Sequence, residues 1–425
     1  MTTVRIGRRG GFSSAVATAS APFPIDANNI FASSYAPRTG RKGALCHFAQ
    51  YRKVFAMKME ASILTPAMVV NVAAAQANID KYQKLCNQHG CAMRPHIKTH
   101  KMISFARKQL EAGAIGITCA KLSEAELMAD AGVKDIFLAF PVIGERNLAR
   151  FLDLAERIRM IAAVDSDTGV HLLNDAAARR GMRVEVRLEI DTGYHRTGVL
   201  LNDLVAFAQS VAALPALEIT GIFTYKSQTY RETMHEDRKL AAKEEAEMML
   251  DAADRLRQAG IPIRDLSGGS TPTADFAPGI GGLTEMRFGS YIFQDAKAVN
   301  TNAASEDECA ARVMTTVVST PASDRAIIDA GSKAFGGDAK MDAAPHFLKG
   351  YGRIAGRPDL TLRRVSEEHG MVYSEGAETG LRIGDRLQII PNHICTAFNL
   401  FNHVFLIMPD GSVRKQAIDG RGMSY

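Results

Sequence analysis

The chain has 425 residues, of which 46% are hydrophobic and 23% are charged, a composition typical of globular proteins. This length exceeds what one compact core usually holds, so it predicts one large domain and a smaller one. The net charge of +5 is mild, no stripe of basic and aromatic residues occurs, and no run of about 18 apolar residues is present. The sequence therefore predicts neither a nucleic-acid-binding nor a membrane-spanning protein.

The six cysteines are scattered and form no Cys-x-x-Cys pair. Secreted proteins usually carry cysteines in a paired framework, whereas scattered thiols are typical of a reducing compartment. We therefore expect a cytoplasmic protein.

Residues 1–58 differ in composition from the rest of the chain. They are rich in Ser, Ala, Gly and Arg, with Asp26 as the one acidic residue before Met57. The segment is interpreted as an unstructured or mis-assigned N-terminal extension, and a transit peptide is the alternative. A short apolar run within residues 59–75 predicts a strand that joins the later β domain.

Residues 76–298 alternate apolar strand-like runs with amphipathic helical stretches. Such alternation predicts a parallel sheet, and eight units over this length predict a closed (β/α)8 barrel. One strand precedes Lys98, and the other seven predicted strands are Ala114–Ala120, Asp135–Phe140, Met160–Asp165, Val184–Asp191, Leu217–Tyr225, Ile263–Gly268 and Glu285–Phe293.

Residues 299–425 have a different pattern, with β-rich runs separated by Gly and Asp turns. This pattern predicts a mainly antiparallel β domain. The fold class is therefore α/β, a (β/α)8 barrel followed by a β domain. The predicted strands of this domain include Val313–Ser319, Ala326–Asp329, Asp385–Ile390 and Val404–Met408.

The segment Arg94-Pro-His-Ile-Lys98-Thr-His-Lys101 places two histidines and two lysines within eight residues. Arg94-Pro95 favours extended backbone, so Lys98 is expected at the carboxyl end of a strand, where barrels place reactive groups. A lysine among other cations has a lowered pKa, and a neutral amine is what a Schiff base requires. A basic loop that binds only phosphate or water is the alternative.

Two further segments follow predicted barrel strands. Ser267-Gly-Gly-Ser-Thr-Pro-Thr273 has two glycines that let the backbone approach an anion, with Ser270 and Thr271 as added donors. It is interpreted as a phosphate site, or alternatively as a plain strand-to-helix turn. In the second segment, Glu189 to Gly198, Arg196 is suited to a phenolate or a carboxylate, while Asp191 and His195 are equally compatible with a structural role.

The β domain contains a candidate metal pair in Pro391-Asn-His393-Ile-Cys395. Residues two apart on an extended strand share a face, so His393 and Cys395 could bind one divalent ion. A core histidine beside a buried cysteine is the more common alternative. His369, in Glu367-Glu-His-Gly370, is a candidate catalytic residue or part of a turn.

Taken together, these motifs resemble the D-serine dehydratase and D-threonine aldolase family, and most closely its branch of D-serine and D-threo-3-hydroxyaspartate dehydratases. The resemblance covers residues 60–425 and implies a fold-type III pyridoxal-phosphate enzyme with an alanine-racemase-like barrel. The motifs, in order, are Arg94-Pro-His-x-Lys98-Thr, Glu189-Ile-Asp-Thr, His195-Arg-x-Gly198, Gly268-Gly-Ser-Thr-Pro-Thr273, Glu285-x-Arg, Gly289-x-Tyr291, Asp295, Asp329-Ala-Gly331, Glu368-His-Gly370 and Pro391-Asn-His-x-Cys395.

The resemblance implies a role for each matching residue. Lys98 resembles the lysine that holds pyridoxal phosphate, and His369 is expected to support catalysis. His393 and Cys395 resemble the metal ligands. The residues expected to bind the cofactor are Lys98, Arg196, Tyr230, Gly269, Ser270, Thr271, Tyr291 and Asp295.

The resemblance also implies which metal is bound and which reaction is catalysed. Aldolases of the family usually place a carboxylate two residues after the histidine, whereas this chain has Cys395 there, as the dehydratases do. A thiolate favours zinc, with Mn²⁺ or Mg²⁺ as alternatives. The resemblance thus implies loss of water from a D-β-hydroxy amino acid, giving a 2-oxo acid and ammonia, in a homodimer.

Three other functions remain possible: an aldolase, a non-catalytic protein and a racemase. Where dehydratase-like members tend to carry His and Gly, this chain reads Thr224-Tyr-Lys-Ser227, which leaves room for an aldolase that forms glycine and an aldehyde. A non-catalytic protein of pyridoxal-phosphate homeostasis is an alternative of another class, although the β domain and the His–Cys pair argue against it. A racemase would need a second base and no metal.

Overall fold

The computed structural model describes residues 63–226, 234–339, 341–344 and 346–425. The predicted N-terminal extension lies outside these residues. The first described strand, β1 (Ala67–Asn71), belongs to the sheet of the β domain, and the eight strands that follow it form the barrel. These are β2 (Ala92–Met93), β3 (Ile117–Cys119), β4 (Asp135–Pro141), β5 (Arg159–Val164), β6 (Val184–Ile190), β7 (Leu217–Thr224), β8 (Asp265–Gly268) and β9 (Glu285–Met286).

The eight barrel strands are parallel and lie in the order β2-β9-β8-β7-β6-β5-β4-β3. The two end strands meet through Ile115, which donates its N–H to Met93 at 3.0 Å, and Thr118, which donates its N–H to Pro95 at 2.8 Å. These contacts join the edges of the sheet, so it closes into a barrel and leaves no free edge.

Helices alternate with the barrel strands and cover their outer face. In α4, the buried residues Leu148, Phe151, Leu152 and Leu154 recur at helical spacing, so one apolar stripe packs on the barrel. The helices of this part are α1 (Val72–Gln88), α2 (Ile103–Glu111), α3 (Leu122–Asp130), α4 (Glu145–Ala155), α5 (Asp167–Arg179), α6 (Leu204–Ala212), α7 (Met234–Gln258), α8 (Ala277–Ile280) and α9 (Ala296–Asn300).

The second sheet is built from β1 and the strands that follow residue 310. β1 pairs antiparallel with β10, with Ala67 opposite Met314, and parallel with β16, with Met68 opposite Val404. The elements are β10 (Ala311–Ala322), β11 (Arg325–Ile328), α10 (Ser332–Phe335), β12 (Gly352–Ile354), β13 (Leu360–Val365), β14 (Gly370–Ser374), β15 (Arg386–Pro391), α11 (Ile394–Phe398), β16 (His403–Ile407) and β17 (Val413–Ala417).

This sheet has the order β13-β14-β11-β10-β1-β16-β17, and β15 pairs with β10 and β12. Apart from β1 with β16, its pairings are antiparallel. The predicted fold class, a (β/α)8 barrel followed by a mainly antiparallel β domain, is confirmed. The domain boundaries proposed from the sequence stay a prediction. None of the described helices is both long and apolar enough to cross a membrane.

The last predicted barrel strand, Glu285–Phe293, is too long. β9 ends at Met286, and Ser290–Ile292 forms a 3-10 turn. The side chains of Tyr291 and Ile292 are buried in that turn. A buried apolar run has the same composition in a strand and in a packed turn, which explains the error.

A buried ion cluster links three barrel segments through Arg94, Arg187 and Glu285. Glu285 accepts hydrogen bonds from Arg94 Nε at 2.7 Å and from Arg187 Nη1 at 2.6 Å. It also accepts one from Ser267 Oγ at 2.7 Å. Burial by itself raises the pKa of Glu285, but the two arginines outweigh it and lower the pKa to about 2. The carboxylate is therefore ionised at neutral pH.

We expect Glu285→Ala to destabilise the barrel strongly, because two buried arginines would lose their shared counter-charge. Removing one partner of a buried ion pair costs about 3–5 kcal/mol of unfolding free energy. Chemical denaturation measures the change. The matched control is Glu247→Ala, which removes an exposed partner of Lys243 and should change the unfolding free energy by about 0–1 kcal/mol. Equal effects of the two substitutions would contradict a structural role for the cluster.

Candidate active site

Lys98 lies at the carboxyl end of the first barrel strand. A single 3-10 turn, Ile97–Thr99, carries it, and His96 caps this turn by accepting the N–H of Lys98 at 3.5 Å. The Lys98 side chain is half-buried. Its Nζ lies 5.7 Å from the centre of the Tyr225 ring. The sequence expected this lysine at the end of a strand, and the structure places it there.

The surroundings of Lys98 favour its neutral amine. Burial is the main cause that lowers the pKa of Lys98, and the charges of Arg196 and Arg287 lower it further, although Cys395 acts in the opposite direction. A neutral amine is the nucleophilic form that reacts with a carbonyl.

The His–Cys pair of the β domain lies next to the lysine turn. Thr99, which follows Lys98 in the chain, has its Oγ1 3.1 Å from Sγ of Cys395, across 296 residues of sequence. Cys395 also acts electrostatically on Lys98. The two motifs that the sequence identified separately therefore belong to one site.

The local backbone of this pair differs from the prediction. His393 and Cys395 do not share a face of a strand, because β15 ends at Pro391. His393 is the extended residue before α11, and Cys395 lies in the first turn of that helix. The strand-to-helix junction brings the two side chains together instead.

His393 is held in place by an acidic partner that the sequence did not suggest. Its Nδ1 is hydrogen-bonded to the carboxylate of Asp338, and Thr396 Oγ1 lies 3.2 Å from the same nitrogen. Metal-binding histidines usually contact a carboxylate through the nitrogen that does not bind the ion. The contact with Asp338 is therefore the arrangement that a metal ligand needs.

Electrostatics couple His393 and Cys395. Burial lowers the pKa of His393, but Cys395 and Asp338 outweigh burial and raise it to about 10. Burial raises the pKa of the Cys395 thiol, but His393, together with Thr99 and Lys98, outweighs burial and lowers it. His393 is therefore protonated beside the thiolate at neutral pH, and a metal ion would displace that proton to give a thiolate and an imidazole, a donor set that suits zinc.

Two protein ligands leave a metal ion with open positions. Within the described parts of the chain, no group of three or more His, Cys, Asp or Glu side chains is arranged to hold a metal ion. An ion bound by His393 and Cys395 would keep coordination positions for water or substrate, as catalytic sites do. The residues fit a catalytic metal better than a structural one.

The glycine loop after β8 also lies at the site. Gly269 has φ of +79°, and a Cβ there would lie 2.8 Å from Cε1 of Phe288. Both observations require glycine at this position. The next residue, Ser270, caps the 3-10 turn Thr271–Thr273. The Thr271 Oγ1 accepts the N–H of Tyr291 at 3.1 Å.

Ser270 and Thr271 line a cavity of about 660 Å³, which Asp295, Asp338 and His393 also line. The cavity therefore extends from the glycine loop to the metal pair. Tyr225, whose ring lies near the Lys98 ammonium, is another of its lining residues.

Arg196 and Asp295 both lie at this site, where Arg196 contacts aromatic rings and Asp295 accepts a backbone hydrogen bond. The Arg196 guanidinium lies over the rings of Tyr194 and Tyr225, at 5.1 and 5.2 Å from their centres. Asp295 is buried, and it accepts the N–H of Ile394 at 3.1 Å. It thereby connects the segment after the eighth barrel strand to the metal pair.

Four predicted site residues do not line this cavity, although each contacts or adjoins a residue that does, namely Lys98, Arg196, Gly269 and Cys395. The remaining three lie apart from it or outside the described residues. The Tyr291 side chain is buried, and its hydroxyl accepts a hydrogen bond from Gln109 at 2.9 Å. His369 is exposed on the turn between β13 and β14. Tyr230 lies outside the described residues. Their predicted roles stay predictions.

Some residues of the cavity were missed by sequence reasoning, among them Tyr225, Asp338 and Lys297. Tyr225 directly follows β7 and Lys297 is two residues after Asp295, so their positions after barrel strands were a usable signal. Asp338 lies in an irregular segment of the β domain, where no sequence pattern indicates its contact with His393.

Comparisons with known proteins agree with this arrangement. The family model described as alanine racemase, N-terminal domain matches residues 70–297, and the model described as putative serine dehydratase domain matches residues 310–407. The first of these matches spans more than half of the chain. The chain belongs to the D-serine dehydratase and D-threonine aldolase family.

Characterised members of the family are similar over most of the chain. A D-threo-3-hydroxyaspartate dehydratase of Delftia sp. (strain HT23) is 34% identical over 82% of this chain and 96% of its own length. A D-threonine aldolase of Arthrobacter sp. is 32% identical over 86% of this chain and 94% of its own length. The predictions of family and of enzyme class, a lyase, are confirmed.

A solved structure adds information about the metal. It is a cysteine-to-alanine mutant of a D-threo-3-hydroxyaspartate dehydratase in the metal-free form, with a TM-score of 0.78, 31% identity, and coverage of 84% of this chain and 98% of its own. A metal is therefore involved in the family, and its identity is not given by this comparison.

The residues of this chain fit the cofactor of the alanine-racemase-like family. Lys98 has a lowered pKa, Gly269 has a backbone conformation that favours glycine, and Ser270 and Thr271 line the cavity. Such a loop binds phosphate through backbone and hydroxyl donors. The site can thus hold a phosphorylated aldehyde at one end and a metal ion at the other.

Proposed function

We propose that this protein is a pyridoxal-phosphate- and metal-dependent lyase that removes water from D-β-hydroxy amino acids and forms a 2-oxo acid and ammonia. The observation that supports it most is the contact of 3.1 Å between Thr99 and Cys395. It brings the lysine of the barrel and the metal pair of the β domain to one site, as a reaction at adjacent carbons requires.

Each part of the site has a role in this proposal. Bound pyridoxal phosphate would accept electrons from the Cα of the amino acid, and a bound divalent ion would act as a Lewis acid on the β-hydroxyl. Lys98 holds the cofactor and, once released, its neutral amine takes the Cα proton. Ser270 and Thr271 bind the phosphate, which fixes the orientation of the reacting bonds.

The β domain contributes the residues that would bind the metal. Asp338 orients His393 through Nδ1, and Thr99 orients the Cys395 sulfur. A divalent ion held by His393 and Cys395 would supply Lewis-acid chemistry to the β-hydroxyl as it leaves. Proximity of both groups to one substrate makes the elimination effectively intramolecular.

We further propose zinc as the metal, because Cys395 is a soft thiolate ligand and zinc binds cysteine with histidine. Mn²⁺ and Mg²⁺ are the alternatives. A homodimer and a cytoplasmic location complete the proposal. The five cysteines that lie in the described part of the chain are free thiols, in keeping with a reducing compartment.

Product analysis tests the reaction. Protein loaded with pyridoxal phosphate and zinc is incubated with D-serine, D-threonine and D-threo-3-hydroxyaspartate, and the products are identified. We expect ammonia and a 2-oxo acid in equal amounts. Glycine with an aldehyde would instead indicate the aldolase reaction of the Arthrobacter relative. If neither set of products is formed, both the dehydratase and the aldolase activity are contradicted.

A further inference from the structure

A buried carboxyl group lies against the glycine loop that follows β8. Glu245 of α7 is fully buried, and its Oε1 accepts the N–H of Gly269 at 3.2 Å. A Cβ on Gly268 would lie 3.3 Å from the same oxygen. The carboxyl therefore contacts the backbone of the loop whose next residues, Ser270 and Thr271, line the cavity.

The second oxygen of Glu245 is less well satisfied. Oε2 is buried and has no hydrogen-bond partner of normal geometry in the described parts of the chain. An ionised oxygen in such a place is costly, and a buried carboxyl reduces the cost by taking up a proton. Burial accordingly raises the pKa of Glu245 to about 7, although the Gly269 amide, the charge of Arg287 and both the charge and the amide of Lys226 act in the opposite direction.

The titratable groups that face Glu245 come from the segments after β7 and β9. Burial lowers the pKa of Arg287, after β9, to about 10, so this residue is charged at neutral pH. Lys226, after β7, forms its ion pair with Glu244 at 3.1 Å. Burial raises the pKa of Tyr225, the residue before it, to about 12, so its hydroxyl is neutral. Of these groups, Glu245 is the one whose charge changes near neutral pH.

A phosphate bound by the loop would lie close to this carboxyl. In the proposed function, on which this inference rests, Ser270 and Thr271 bind the phosphate of the cofactor. Ser270 directly follows Gly269, and consecutive Cα atoms are about 3.8 Å apart. Two negative charges at short range repel strongly where little water separates them. A proton on Glu245 removes this repulsion and leaves an oxygen that can still accept the Gly269 N–H.

We propose that Glu245 is a positioning residue for the glycine loop and that phosphate binding at Ser270 and Thr271 is coupled to protonation of its carboxyl. Below about pH 7 the carboxyl is already neutral, so it does not oppose phosphate binding. Above that pH the cofactor-free protein carries a carboxylate, which takes up a proton when phosphate binds. The contribution of Glu245 should therefore weaken phosphate binding about tenfold for each further pH unit.

The test compares the wild type with Glu245→Gln, which keeps an acceptor for Gly269 but cannot ionise. The probe is pyridoxine 5′-phosphate, which has the phosphate of the cofactor but no aldehyde and so forms no bond with Lys98. Its dissociation constant is measured across neutral pH on the full chain freed of cofactor. The ratio of the wild-type to the variant constant should be about 1 at about pH 6 and about 10 at about pH 8. Titration of the phosphate itself is common to both proteins and cancels in the ratio.

Two further variants separate positioning from charge. Glu245→Leu removes the acceptor of the Gly269 N–H, and it should weaken probe binding at every pH by a similar factor. Glu247→Gln, at an exposed residue of the same helix, is the matched control and should reproduce the wild-type profile.

Calorimetry of the wild type alone provides a measurement that needs no variant. Probe binding at about pH 8, compared between two buffers of different ionisation enthalpy, should take up close to one proton per bound molecule. At about pH 6 the uptake by Glu245 should vanish, because the carboxyl is already protonated.

Other results would overturn the proposal. Probe binding to the wild type without proton uptake at about pH 8, or parallel pH profiles for the wild type and Glu245→Gln, would contradict the coupling. Wild-type affinity in Glu245→Leu at about pH 6 would contradict the positioning role. In each of these cases the probe still binds, so the proposed function stands and only the inference about Glu245 fails. A wild type that binds neither pyridoxine 5′-phosphate nor pyridoxal phosphate at any pH would show that the proposed function fails as well.

Discussion

Replacing Lys98 with alanine is expected to abolish turnover, with a loss of at least about a thousandfold in kcat. The substitution removes both the amine that holds the cofactor and the base that takes the Cα proton. Protein purified with pyridoxal phosphate should also lose the visible absorbance of a lysine-bound cofactor. Initial rates and an absorption spectrum measure the two effects.

Lys134→Ala is the matched control for this experiment. Lys134 is exposed and directly precedes β4, so it lies at the amino end of the barrel, opposite the site. We expect it to leave rate and spectrum unchanged. The Lys98 variant should fold normally, because its half-buried amine makes no ion pair in the described structure. A folded Lys98→Ala protein that keeps substantial activity would contradict the assignment.

Cys395→Ala is expected to lose bound metal and most turnover while keeping the cofactor. Even residues outside the ligand shell change metal affinity or activity about 10- to 100-fold, so loss of one of two protein ligands should cost at least as much. Metal analysis, cofactor absorbance and initial rates separate the three properties. Treatment of the wild type with a chelator should reproduce the loss, and added zinc should reverse it.

The matched control here is Cys91→Ala, which removes a buried thiol just before β2, away from the metal pair. Its metal content should equal that of the wild type. If Cys395→Ala keeps both metal and activity, the pair has a structural role only. If it loses the cofactor as well, the two ends of the cavity are not independent, contrary to the mechanism proposed here.

Much of the fold follows from hydrophobic periodicity. The run Val184–Asp191 was predicted as a strand, and β6 covers Val184–Ile190. It is buried over most of its length, as strands of a covered parallel sheet are. The prediction of a strand over Glu285–Phe293 was wrong for the residues after Met286, because tertiary burial rather than strand pairing explains their apolar character.

The site also contains residues that the sequence predicted and contacts that it did not. Residues after barrel strands, such as Lys98 and Ser270, were predictable because a parallel barrel gathers its strand ends at one face. The contact of Thr99 with Cys395 was not, since it depends on how β15 and α11 approach the barrel.

The central claim is that Lys98 holds pyridoxal phosphate at a site shared with the metal pair. The most direct test is borohydride reduction of the wild-type protein loaded with the cofactor, followed by peptide mass mapping. The account predicts one labelled lysine, Lys98. A label on Lys226 or Lys297, the other lysines close to the cavity, or no label at all, would contradict it.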